Sequence, residues 1–262
     1  MSFEPVSINK KNLSLRVWAI GIGFVVVLLA ALGYWLYAYR FAGVSARWEH
    51  YQALYTNPQS LVNETLLPGQ RCDGSPFAFP TKGVIFGSWG QSYRVGNAHQ
   101  GLDIFPGSDL GVTPVYAAYP GYLTRLSDWR SAVIIRIPAD PLQPNRQIWN
   151  YYAHMADQDG NSFISAAFPP GVSEVFVEAG TLLGYQGNYS GRPLNPTGLH
   201  LHFSVVKDDG RGSFLNETDI NNTLDPTPYF NLPVNYSQNP DEFPTCAGEV
   251  TIAEWEFVPD NE

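Results

Sequence analysis

Residues 198–205 read GLHLHFSV, placing His200 and His202 two residues apart inside an apolar, β-favouring run. On a strand, residues i and i+2 point to one face. Both imidazoles are therefore predicted to project into one space, with Leu199, Leu201 and Phe203 facing the other way. The chain has five histidines, the others being His50, His99 and His154. In HQGLD, His99 and Asp103 set an imidazole and a carboxylate four residues apart. Alone, that spacing reads as a turn with a capping Asp. Beside the H-x-H pair it completes a ligand set of two nitrogens and one oxygen with a fourth position open, the arrangement of a catalytic zinc. Such an ion lowers the pKa of a bound water towards neutrality and polarises a carbonyl. Spacing alone leaves open which of His200 and His202 binds the metal. His154 closes the apolar run NYYAHM, whereas His50, between Glu49 and Tyr51, reads as a solvated helix residue.

The elements that position these groups are predicted to be short strands. From Lys82 onward, apolar runs alternate with Gly/Pro turns at Gly83–Gly87, Leu102–Phe105, Val115–Ala118, Gly121–Arg125, Ala132–Ile137, Ile148–His154, Glu174–Val177, Leu182–Gln186 and Leu199–Lys207. Strands of this length and punctuation predict a mainly β protein, a compact antiparallel sheet or sandwich. The segments Pro138–Asn145 and Asp157–Val172 are long loops.

Before the strands, Val17 to Tyr39 holds no charged residue. As a helix it reaches roughly 34 Å, enough for a hydrocarbon core of about 30 Å. Lys10, Lys11 and Arg16 precede it, so the positive-inside tendency keeps residues 1–16 cytoplasmic and sends the bulk outside. Ala31-Leu32-Gly33 offers a small-residue cleavage site. The apolar run continues past it through Tyr34 and Trp35, which predicts an uncleaved anchor. Residues 40–81 form a connector: Ser45–Tyr55 extends the helix, with Trp48, Tyr51, Leu54 and Tyr55 on one face, and Asn57–Pro80 is loop. Residues 231–262 form an acidic tail laid over the domain. Cys72 and Cys246, the only cysteines, are too few and too distant for a structural zinc site. They form either a disulfide outside the cytoplasm or two buried thiols.

The formal charge is −9. Lys10, Lys11, Arg16 and Arg40 face only Glu4 in the first forty residues, so the remainder is more acidic than the whole. That balance argues against nucleic acid as a partner.

The ordered set HQGLDI (99–104), TPVYAAYPGYLTRL (113–126), VIIRI (133–137), YYAHM (151–155), VEAGTLLGYQGNYSGRPLNPTGLHLHFSV (177–205) and LDPTPYF (224–230) resembles the lysostaphin/LytM-type zinc metallopeptidases. The likeness covers roughly Lys82 to Phe230. It implies a duplicated-hybrid-motif β domain over residues 82–230, with a groove across one sheet that loops such as 157–172 would line, and one zinc held by His99, Asp103 and His202. It also implies that His154 and His200 are the catalytic, non-ligating histidines, and that Tyr93 is a donor to the oxyanion. The expected activity is a membrane-anchored endopeptidase, acting on the peptide stems or bridges of bacterial peptidoglycan. It would stand outside the cytoplasmic membrane, in the periplasm or cell wall, with a regulatory protein as a further possible partner. The alternative is a non-enzymatic relative that regulates or scaffolds wall hydrolases or an envelope assembly. Such relatives usually lose zinc ligands, whereas all five positions are intact here.

Overall fold

The apolar run has no polar stripe to separate core from water, and it forms part of one long helix, α1 (Lys10–Thr56). The computed structural model describes residues 10–91, 98–233, 243–253 and 255. Within α1, Trp18–Ala38 is long and apolar enough to cross a membrane, with a mean hydropathy of 2.3. Its side chains stand uncovered: Ile20 is 73% exposed and Trp35 59%. The chain divides into two compact units, Met1–Glu49 and His50–Glu262, and the last turns of α1 belong to the second.

The second unit is built from twelve strands: β1 (Gln70–Cys72), β2 (Val84–Gly87), β3 (Leu102–Phe105), β4 (Pro114–Tyr116), β5 (Gly121–Thr124), β6 (Val133–Ile137), β7 (Ile148–Ala153), β8 (Val175–Val177), β9 (Leu182–Tyr185), β10 (Leu201–Lys207), β11 (Thr223–Leu224) and β12 (Val250–Ile252). An eight-stranded antiparallel sheet runs in the order β2-β3-β10-β7-β6-β5-β8, with β11 added beside β10, while β4 pairs with β9 and β1 with β12. All nine predicted strands are present, and the class is mainly β and antiparallel as expected.

Period-two alternation sorts the large sheet into two faces. Leu102, Ile104, Val133, Ile135, Ile148, Tyr152, Leu201, Phe203 and Val205 enter the main core, where they meet Val115 and Leu183 of the β4–β9 pair. Both His202 and its cross-strand partner Asp103 lie on the opposite face. That face is covered further along by a smaller cluster of Ile134, Trp149 and Val206.

Four sequence expectations need correction. The 157–172 loop does not line the groove among the described residues. Ile164 and Phe168 instead sink into the core, and the buried Arg125 guanidinium donates to the Phe168 carbonyl and the Ser162 hydroxyl. The tail is more than a cover: β12 adds a strand to β1, and a Cys72–Cys246 disulfide lies beside that pairing. Residues 57–80 are not all loop, since they hold β1 and a short 3-10 turn at Pro58–Leu61. His50 is not simply solvated, because its ring packs edge-on against Phe243 at 5.0 Å.

Candidate metal centre

Asp103 sits inside β3 and His202 directly opposite it inside β10, so sheet pairing alone brings carboxylate and imidazole together. His99 lies just before β3, where two backbone hydrogen bonds, Gly90 N–H to His99 O and His99 N–H to Gln91 O, fix its chain. Three donor atoms then converge. His99 Nε2 lies 3.0 Å from Asp103 Oδ1 and 3.1 Å from His202 Nδ1, and His202 Nδ1 lies 2.9 Å from Asp103 Oδ1. Ligands about 2.0–2.1 Å from a tetrahedral ion stand about 3.3 Å apart, so this triangle has the size of a three-ligand zinc face.

The outer nitrogens decide the tautomers. A carbonyl only accepts, so His99 Nδ1 donates its hydrogen to Ser88 O at 3.1 Å and Nε2 is the nitrogen that faces inward. His202 Nε2 donates to the Glu217 carboxylate at 2.7 Å. A bare Nε2, a carboxylate oxygen and a His202 Nδ1 without its proton would repel one another at these distances. The triangle therefore needs a positive charge at its centre, a cation or a proton on one of its ring nitrogens. Metal-ligating histidines usually hold a carbonyl or carboxylate on the outer nitrogen, and both of these do. Donor chemistry and spacing fit zinc.

The titrations follow from the same contacts. Burial opposes charge on His202, but Glu217 and Asp103 outweigh it and raise the metal-free imidazole from 6.5 to about 10. Burial likewise opposes ionisation of Asp103, yet the neighbouring His200 and His99 hold its carboxyl well below the usual range. Glu217 is also pulled down, burial being overcome chiefly by His202. The backbone leaves room for this: a Cβ on Gly87 would stand 2.7 Å from Asp103 Oδ2.

His154 and His200 form a second pair beside the first, ring centroids 4.6 Å apart. His200 continues the face of His202, as the i, i+2 spacing predicts, and its ring stacks on Phe105 at 4.8 Å and 19°. Its Nδ1 donates to Gly198 O at 2.6 Å, and Nε2 stands 3.4 Å from Asp103 Oδ1. His154 follows Ala153, the residue opposite His202, and regular alternation would send its ring to the core side. A left-handed backbone, φ +71°, breaks the alternation. His154 Nδ1 donates to Tyr189 O at 2.6 Å. Burial, then the neighbouring His200 and His202, push its imidazole down to about 3.

The four histidines and Asp103 open onto a groove of about 430 Å³. Its walls come from the 189–197 segment, from Ser131 and Tyr151, and from Glu217 and Thr218. Burial keeps the Tyr151 hydroxyl protonated far above the ordinary range. All five sequence-predicted residues His99, Asp103, His154, His200 and His202 are gathered here. Tyr93 lies outside the described residues. Glu217 is the functional group that sequence reasoning missed. It sits in FLNETD with no periodic or spacing signal, and only the fold carries it to His202.

No protein-family model matches this chain, and no curated protein matches it. Among solved structures, the chain is similar to the catalytic domain of the antimicrobial peptidase lysostaphin from Staphylococcus simulans, at 18% identity and a TM-score of 0.36, over 61% of this chain and 94% of that one. A putative glycyl-glycine endopeptidase lytM from Ruminococcus gnavus shares 23% identity at a TM-score of 0.32, over 50% of this chain and 45% of that one. The catalytic domain of the prophage-encoded M23 protein EnpA from Enterococcus faecalis, in a point-mutant form, shares 24% identity at a TM-score of 0.34, over 58% of this chain and 95% of that one. Scores of this size leave the functional reading to rest on the site's own residues.

Proposed function

We propose that this protein is a zinc metalloendopeptidase that hydrolyses peptide cross-links of bacterial peptidoglycan. Residues 82–230 form its peptidase domain, and the helix over residues 17–39 anchors it. Residues 1–16 lie in the cytoplasm, the connector (40–81) and acidic tail (231–262) lie outside, and the domain works outside the cytoplasmic membrane. The observation that carries this reading is the pairing of two differently held sets of histidine: a three-donor triangle buttressed by Glu217 and Ser88, and a carbonyl-held pair beside it.

His99 Nε2, Asp103 Oδ1 and His202 Nδ1 would hold the ion. When bound, zinc supplies an acidified water and a Lewis acid for the scissile carbonyl. His154 and His200 each have Nδ1–H committed to a backbone carbonyl, which leaves Nε2 of each, at the groove, as the nitrogen that would take a proton. Burial and the neighbouring imidazoles hold the metal-free His154 pKa at about 3, so the ring is neutral throughout the physiological range. The proton taken by this pair is then at hand for the leaving amine. Tyr93 is assigned, on the family resemblance, as a donor to the developing oxyanion. The groove offers Ser131, Tyr189 and Thr197 as neutral polar walls, suited to an extended peptide backbone.

The test is incubation of the zinc-loaded full-length protein with purified peptidoglycan and defined muropeptides, with products read by mass spectrometry. Cleaved stems or bridges are expected. One equivalent of zinc with no product would overturn the enzyme reading and favour a regulator or scaffold.

A further inference from the structure

Phe105, at the end of β3, is the floor on which the His200 ring stacks. The Phe105 ring also meets Tyr51, from the last turns of α1, in a T-shaped contact at 5.3 Å and 89°. Tyr51 also packs against Phe86 of β2 at 5.8 Å, and Phe86 against Phe105 at 5.4 Å. Leu54, one turn further along the helix and 3% exposed, is buried with Val84 and Phe86 and fastens this part of the helix to the sheet edge. A second contact reaches His200 by another route. A Cβ on Gly198 would lie 3.2 Å from both the Tyr51 hydroxyl and the Phe105 ring, so the Gly198 backbone sits directly against both. The Gly198 carbonyl accepts the His200 Nδ1 hydrogen.

The stacking floor and the carbonyl both hold the His200 ring, alongside its contact with Asp103, and Tyr51 braces each of these two. We propose that Tyr51 is a positioning residue for His200, acting through Phe105 and the Gly198 backbone. The inference rests on the reading of His200 as a proton-transferring group. Displacement of such a group by a fraction of an ångström is costly, because reaction depends on a near-attack arrangement. The donor triangle is held separately, by Ser88, Glu217 and the pairing of β3 with β10. The contacts of Tyr51 therefore predict an effect on turnover that leaves metal binding intact.

The experiment uses the full-length, zinc-loaded protein carrying 13C-labelled histidine, with five histidines to assign. It compares Tyr51→Ala, Tyr51→Phe, Phe105→Leu and the Tyr51→Ala/Phe105→Leu double variant. In Tyr51→Ala the His200 ring-proton resonance is expected to move downfield as stacking on Phe105 loosens. Turnover is expected to fall about tenfold, with one zinc retained and KM unchanged. Tyr51→Phe, which keeps the ring, is expected to restore the resonance and most of the turnover. The losses in the double variant are expected to be less than additive, because Phe105 carries one of the two routes from Tyr51 to His200. An unmoved His200 resonance in Tyr51→Ala, zinc loss in that variant, or fully additive losses in the double variant would overturn the proposal. If the wild-type protein cleaves nothing, the proposed function fails while the resonance still decides whether Tyr51 positions the ring.

Discussion

The two halves of the site use the same side chain for opposite ends. On one side, His202 gives its outer N–H to the Glu217 carboxylate and faces the Asp103 carboxylate. On the other, His154 gives its Nδ1–H to a backbone carbonyl and faces two imidazoles. His202 is buried and His154 half-buried, and desolvation disfavours the charged form of each. One nonetheless rises to about 10 and the other falls to about 3. Burial sets the stakes, and the partner decides the sign. A histidine braced by carboxylates is built to sit against positive charge. A histidine braced by a carbonyl, with no carboxylate accepting from it, is built to stay neutral.

The sharpest way to break this contrast is to exchange roles by deletion. His202→Ala is expected to abolish both metal binding and hydrolysis. His200→Ala is expected to retain one zinc per chain and lose about 10²–10⁴-fold in turnover, the usual range for a general acid–base group. Zinc analysis beside single-turnover kinetics reads both quantities. Metal loss in His200→Ala would erase the distinction between the halves.

Removing the brace while leaving the ligand gives a smaller effect. Glu217→Gln keeps a hydrogen-bond acceptor for His202 Nε2 but removes its charge, and zinc affinity is expected to weaken about 10–100-fold. Competition with a chromophoric chelator measures this. The fold should hold, since Glu217 lies in the groove wall rather than the core.

The protonation contrast can be read without turnover. In the metal-free protein the His202 pKa is raised above its unfolded value. Its contribution to stability is therefore fully present below about pH 6.5 and is lost as pH rises through about 10. Zinc must displace the Nδ1 proton, so between about pH 7 and 9 binding is expected to release about one proton from His202. That release should fade as pH passes about 10. Calorimetry in two buffers of different ionisation enthalpy counts the protons. Release unchanged across that range would remove the carboxylate brace as the cause.

Much of this arrangement was legible before any coordinates. The i, i+2 spacing of His200 and His202 is a property of any strand, and Gly/Pro punctuation marks where short strands stop, which is why nine strands fell within a residue or two of their predicted ends. Local chemistry could not supply long-range pairing. β1 and β12 are three residues each and about 180 apart in the chain, so neither has enough pattern to declare itself. Glu217 reaches His202 only because the segment after β10 folds back along the groove. The 157–172 loop misled for a related reason: its polar residues advertise a surface, while Ile164 and Phe168 are the residues that decide where it packs. Nor does any apolar pattern announce that His154 leaves the strand in a left-handed conformation.

That conformation yields the smallest and most specific prediction. For a non-glycine residue the left-handed region costs about 1–2 kcal/mol; Asn and His tolerate it better than most, and β-branched residues worst. His154→Asn is therefore expected to unfold within about 0.5 kcal/mol of the wild type, since an amide accepts this backbone readily. His154→Val is expected to lose about 1–2 kcal/mol more than His154→Asn, because its side chain crowds the same φ. Both should bind zinc, and both should lose turnover. Urea denaturation of the metal-free proteins avoids coupling the result to zinc affinity. Equal stability of the two variants would mean that residue 154 has relaxed out of the left-handed region at no cost. The backbone would then not be what turns the neutral histidine toward the metal half of the site.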